Sequence, residues 1–198
     1  VSIDPRTPYG RSKAAAERLV LAVGQEHEMH TCNIRPVLVY GPGVKGNLHK
    51  MLRAVDKRRF PPLPEVHNRR SLIYVGDVAR ALLLAAEHPG AAGQTFVVTD
   101  GVEYSTRQLY EAVAGALGRA VPPVSAPLWS LRALARAGDG AGRLIGRRTP
   151  IDTPALGRLV ESAWYSSDRI RDELGYEPLS TFDTALPEMV AHYRASAH

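Results

Sequence analysis

Apolar and polar positions along this chain switch between helical and strand periods. After Pro8, residues 9–26 are rich in Ala, Glu, Arg and Leu, which predicts a helix. Residues 31–40, TCNIRPVLVY, form an apolar, β-branched run short enough for a buried strand and end in the turn GPG. Pro36 within that run points to a sheet edge or a strand end, because proline donates no ladder hydrogen bond. Residues 47–57 regain helical spacing, with Leu48, Met51, Leu52 and Val55 on one face. A Pro-rich loop, FPPLPE, follows.

The run SLIYV (71–75) predicts a second strand, and Asp77 is the expected N-cap of the helix VARALLLAAEH. QTFVVTDG (94–101) predicts a third strand. The next helix is capped by Ser105 or Thr106 and stops at Gly118. Residues 121–156 are rich in Pro, Gly and Ala, with irregular helices expected around 128–137. SSDRIRDELGYEP reads as a capped helix ending at Gly175, and a last helix closes the chain. Strands alternating with helices predict an α/β protein with a parallel sheet. Three strands make a thin sheet, so further strands are expected upstream, the more so because the chain opens at Val1 rather than Met.

Composition narrows the class. The chain has 198 residues, 44% hydrophobic and 23% charged, as in ordinary globular proteins. Its longest purely apolar run, 81–86, is far short of a membrane span, and no basic-then-apolar leader opens it. Cys32 is the single cysteine, which excludes an internal disulfide and suits a reducing cytoplasm. The net charge of +5 gathers in short clusters at 56–60, 68–70 and 146–148. Nucleic acid is not expected as a partner, because no basic run is interleaved with aromatics as stacking on single strands requires. A few arginines for a phosphorylated small molecule explain the charge as well.

GPGVKG (41–46) matches G-x-G-x-x-G between a strand and a helix. Pro42 removes a backbone N–H from a loop that would have to donate to pyrophosphate, and Glu65, at the distance of the expected ribose-binding acid, lies in the Pro-rich loop. A glycine-rich turn is the better reading.

Tyr9 stands four residues before Lys13, so the two share a helix face. A free phenol is a poor base at neutral pH, and a cation one turn away favours its ionised form. The pair is thus either an acid/base couple or two surface residues. Its context decides. TPYGRSKAAAERL, IRPVLVYGPG, RRSLIYVGDVARALLLAAE and SSDRIRDELGYEPLSTFDTAL resemble, in order, blocks of the extended short-chain dehydrogenase/reductases, the NAD-dependent epimerase/dehydratase family to which UDP-glucose 4-epimerase belongs.

That resemblance implies the C-terminal half of a Rossmann-like parallel sheet interwoven with a small α/β substrate-binding domain, the N-terminal dinucleotide-binding half being absent. It divides the chain into 1–41 and 71–101 for the Rossmann portion, 42–70 for a substrate-domain segment, and 102–198 mainly for the substrate-binding domain. It implies that Tyr9 is the acid/base, that Lys13 lowers its pKa and holds the nicotinamide ribose, and that Pro36 and Val39 line the nicotinamide of NAD or NADP. Asn47, Leu48, Arg70 and Arg158 are implied on the substrate, a nucleotide-diphosphate sugar, with UDP favoured. Arginine suits two of those places because its planar fork binds phosphate oxygens bidentately. The implied reaction is epimerisation, 4-keto reduction or dehydration, and the block RPVLVYGPGVKGN resembles the branch acting on UDP-N-acetylated deoxyhexoses for surface polysaccharide. Leu38 stands where many sugar epimerases have Asn. A homodimer through the tyrosine-bearing helix is also implied. The competing reading is a non-catalytic dinucleotide-binding sensor or scaffold of the same fold.

Overall fold

The computed structural model describes residues 7–61, 63–122, 125–146, 149 and 152–196. Helix α1 spans Pro8–Glu26. Thr7 Oγ1 caps it by accepting from Gly10 N at 3.0 Å, and Pro8 sits in the first turn, where its missing N–H costs nothing. Only Ala14 and Gly24 of α1 are buried. Gly24 permits the close approach, since a β-carbon there would lie 1.8 Å from Thr31 Oγ1 and 2.9 Å from Thr31 Cβ.

The run 31–40 forms two strands rather than one: β1 (Asn33–Pro36) and β2 (Leu38–Tyr40). Strand β1 pairs in parallel with β4 (Thr95–Val98), from Asn33↔Thr95 to Pro36↔Val98. Strand β2 pairs in parallel with β3 (Arg70–Tyr74), from Leu38↔Leu72 to Tyr40↔Tyr74. The chain changes neighbours at Pro36–Val37, where proline cannot donate to the ladder. A short strand, β5 (Glu103–Tyr104), runs antiparallel to β3. Two residues are too few to leave a periodic signal, and β5 was not anticipated.

Helix α2 (Gly46–Asp56) buries the expected face of Leu48, Met51, Leu52 and Val55. Helix α4 (Thr106–Leu117) carries a complete capping box, Ser105 with Gln108, and ends at Gly118 with φ 67°. Helix α3 (Val75–Glu87) corrects the sequence reading, because it begins directly after β3 and Asp77 is not its cap. Asp77 is buried inside the first turn, where its carboxylate accepts from Leu179 N and Ser180 N at 3.0–3.2 Å and ties down the C-terminal segment.

Helix α5 (Leu128–Ile145) runs on past the expected end near 137, and α6 (Thr153–Val160) follows it. The glycines at 138, 140 and 142 obscured the longer helix, and its packing against α6 overrides their low propensity. Asp139 fastens the pair by accepting from Thr153 N at 3.0 Å and Thr153 Oγ1 at 2.5 Å. Helix α7 (Asp168–Leu174) stops at Gly175, as expected, and α8 is Phe182–Ser196.

Two apolar cores result. One joins α2, α4 and α8 to the sheet through Leu52, Leu72, Val113, Phe182 and Met189. The other joins α3, α7 and β4 through Ala81, Ala85, Phe96, Val98 and Ile170. Each fully buried large side chain contributes about 1.5–3 kcal/mol. Asp100, just past β4, lies in the interior and accepts from Tyr40 Oη at 3.1 Å and Tyr104 Oη at 3.0 Å.

Candidate active site

One face of α1 lies opposite the break between β1 and β2 across a cleft of about 600 Å³. Tyr9, Gly10, Lys13, Ala14 and Glu17 form one wall. Arg35, Pro36, Val37, Leu38 and Val97 form the other, and Arg70, Ser71, Ala163 and Tyr165 close one end. The cleft exists because the chain changes sheet partners at Pro36–Val37 and α1 touches the sheet at few points.

Tyr9 is 72% exposed, so its phenol is reachable from solvent. Lys13 Nζ lies over the Tyr9 ring, 5.8 Å from its centroid. Among the described residues Lys13 has no carboxylate partner. Glu17 lies one turn further along α1, and both its oxygens are taken by Arg35, Nε at 2.9 Å and Nη2 at 2.6 Å. That bidentate fork holds the Glu17 carboxyl below the usual carboxylate range, against the opposing effect of burial.

The other residues singled out in the sequence scatter. Pro36 lines the cleft, while Val39 packs partly buried against the core under α3. Arg70 reaches the cleft, but its guanidinium also donates to Thr106 Oγ1 at 2.8 Å, to the Glu161 carbonyl at 3.1 Å and to the Arg158 carbonyl. Burial lowers its pKa. Asn47 is exposed in the first turn of α2, and Leu48 is buried in the core, only 2% exposed. The Arg158 side chain is exposed in the last turn of α6. None of these last three is among the residues lining the cleft.

Sequence reasoning missed Glu17, Arg35, Ser71 and Tyr165. Glu17 carried a local signal, standing four residues beyond Lys13. Arg35 had none, because its partner is 18 positions away. Ser71 exchanges hydrogen bonds with the Tyr165 backbone at 2.9 and 3.0 Å, and so fixes the segment that closes the cleft. The glycine loop is elsewhere. Gly43–Gly46 lines a separate groove of about 870 Å³ between α2 and α8, with Lys45, His49 and Arg53. Among the described residues no cluster of His, Cys, Asp and Glu could hold a metal, and no helix is long and apolar enough to cross a membrane.

Residues 1–99 match the profile of the NAD dependent epimerase/dehydratase family. The chain belongs to that family. It is 30% identical over 178 residues to UDP-glucose 4-epimerase of Vibrio cholerae, covering 89% of this chain and 51% of the relative. It is 32% identical over 194 residues to a 3-beta-hydroxysteroid dehydrogenase of Mycolicibacterium neoaurum, covering 93% and 52%. The crystal structure of Bordetella bronchiseptica WbmF in complex with NAD+ and UDP superposes with a TM-score of 0.69 at 21% identity, covering 100% of this chain and 55% of that one. This family member thus spans about half the length of the curated relatives it matches, and it has the Rossmann-like fold of such enzymes.

Proposed function

We propose that this chain carries the acid/base portion of an NAD(P)-dependent site acting on a nucleotide-diphosphate sugar, UDP-linked, as an epimerase, 4-keto reductase or dehydratase. The observation that carries this reading is the Lys13 ammonium lying over the exposed Tyr9 ring in an open cleft. Tyr9 then exchanges a proton with a hydroxyl or carbonyl oxygen of the sugar, and Lys13 supports the phenolate that this exchange requires. The cleft suits the nicotinamide end of NAD or NADP, with a cation for ribose oxygens at Lys13 and an apolar wall at Pro36 and Val37, whereas Val39, packed against the core, would act only by supporting that wall. The bound cofactor supplies or removes hydride at the sugar carbon. Arg70 and Asn47 are assigned to the diphosphate and Arg158 to the nucleotide, while the buried Leu48 side chain is not retained as a contact. Support for the substrate class comes from the epimerase named above and from the relative crystallised with UDP.

A second reading has its own support. Leu38 is in the cleft wall, and the Arg70 fork is already bonded to protein oxygens, which together favour an apolar alcohol such as a hydroxysteroid. The complete gene product is assayed with UDP-glucose and UDP-N-acetylglucosamine plus NAD+ or NADP+, following sugar protons by NMR. Conversion of a UDP-sugar is expected. Oxidation of a 3β-hydroxysteroid with no UDP-sugar turnover would transfer the site to the second reading, and cofactor binding without any turnover would make the protein a sensor. We further propose a homodimer across α1, whose Leu19, Val20 and Val23 are exposed. Light scattering at monomer mass would overturn it.

A further inference from the structure

Lys13 has two oxygen-bearing neighbours on its own helix face, Tyr9 one turn before and Glu17 one turn after. Elementary electrostatics favours Glu17, since an ammonium and a carboxylate at i and i+4 attract, and a partly enclosed cleft strengthens the attraction. The structure shows the opposite choice. Lys13 lies over the Tyr9 ring, and both Glu17 oxygens are engaged by the Arg35 fork. The two side chains of that ion pair are only 25% and 22% exposed. Arg35 comes from the middle of β1, in register with Val97 of β4, so it is aimed by a backbone ladder rather than by a loop. The Glu17 carbonyl is held as well, accepting from Asn33 Nδ2 at 3.2 Å.

We propose that Arg35 is a positioning residue for the Tyr9–Lys13 pair: by occupying the Glu17 carboxylate it prevents that group from capturing Lys13, and so leaves the ammonium to the phenol and the cofactor side of the cleft. This rests on the assignment of Tyr9 and Lys13 above. Without Arg35, Glu17 is a part-buried carboxylate with no bidentate partner, and Lys13 is the cation one turn away on the same face. Lys13 then swings toward residue 17. A lysine at position 35 keeps the charge but loses the fork, and holds Glu17 less securely.

The test separates this role from simple docking of α1 on β1. Lysine acetylation by a water-soluble anhydride, mapped by mass spectrometry, reads how freely Lys13 reacts, with exposed Lys45 and Lys57 as internal references. In Arg35→Ala, labelling of Lys13 is expected to slow about fivefold relative to those references, and turnover of the complete gene product to fall at least about tenfold in kcat with little change in KM. The double variant Glu17→Ala/Arg35→Ala is expected to recover most of both losses, because the capturing carboxylate is gone. A double variant as impaired as the single one, or Lys13 labelling unchanged or faster in Arg35→Ala, would overturn the proposal and leave the pair as a structural fastener. If Arg35→Ala does not fold, Arg35→Lys is used, with intermediate slowing expected and undiminished labelling contradicting the proposal. The labelling readout does not depend on catalysis. Retained turnover in Tyr9→Phe would sink the site assignment while the labelling still reports whether Glu17 captures Lys13.

Discussion

The molecule holds its tyrosines in two opposite settings. At the cleft, Tyr9 is exposed beside an ammonium on a helix that buries only Ala14 and Gly24. In the interior, Tyr40 and Tyr104 surround the carboxyl of Asp100, and Phe182 packs edge-on against both rings at 5.4 and 6.0 Å. Burial, with the Asp100 charge adding to it, pushes both inner phenols well above the ordinary tyrosine range. A phenol beside a carboxylate in a dry interior keeps its proton and serves as a donor. Tyr9 instead has an ammonium over its ring and open access to solvent. The same residue type thus meets opposite neighbouring charges and opposite access to water in the two regions.

Phe182→Ala breaks the inner region most severely. Its side chain is fully buried, and the loss is expected at about 3–5 kcal/mol in urea unfolding. Tyr9→Phe on the other side should stay within about 0.5 kcal/mol of the parent in the same experiment. Equal losses would erase the distinction. Asp77→Ala removes a buried acceptor shared by Leu179 N and Ser180 N, and is expected to cost about 2–3 kcal/mol.

Asp100 sharpens the comparison through pH. Burial pushes its carboxyl up to about 6, partly offset by hydrogen bonds from Val102 N and the two tyrosines. The folded state therefore binds more protons than the unfolded chain between roughly pH 4 and 6, so this residue's contribution to stability falls as pH rises through that window. The stability of the parent minus that of Asp100→Asn is expected to drop by about 2 kcal/mol from pH 4 to pH 7, measured by denaturant unfolding. A flat or rising difference would contradict the raised carboxyl. Gly24→Ala is expected to cost less than the buried substitutions, about 1–2 kcal/mol, because the clash with Thr31 outweighs the helix-propensity gain. Loss of α1 helicity by circular dichroism would mark it as local, whereas no destabilisation would show that α1 is not held close by that glycine.

Legibility in the sequence followed the range of the interactions. Helices α2, α4 and α7 were readable because periodic faces, a capping box and a stop glycine are local signals. The break of the 31–40 run into two strands was half visible in Pro36, but the change of sheet partner depends on β3 and β4, far along the chain. Asp77 looked like a cap because it stands near a helix start, and only the folded structure brings Leu179 and Ser180 to its oxygens. Tyr9 and Lys13 stood out as a candidate pair through the family resemblance of their block rather than through one-turn spacing alone, a spacing that Glu17 shares. Arg35 was hidden by its distance in sequence from Glu17. Leu48 was implied on the substrate only by the family resemblance, and the apolar face of α2, on which its own periodicity put it, takes that side chain into the core.

The most direct test of the central claim is the turnover of Tyr9→Phe in the complete gene product at saturating nucleotide sugar and NAD+. The kcat is expected to fall by about 10²–10⁴-fold, with cofactor affinity and unfolding free energy near the parent values. Turnover within a few fold of the parent would contradict it.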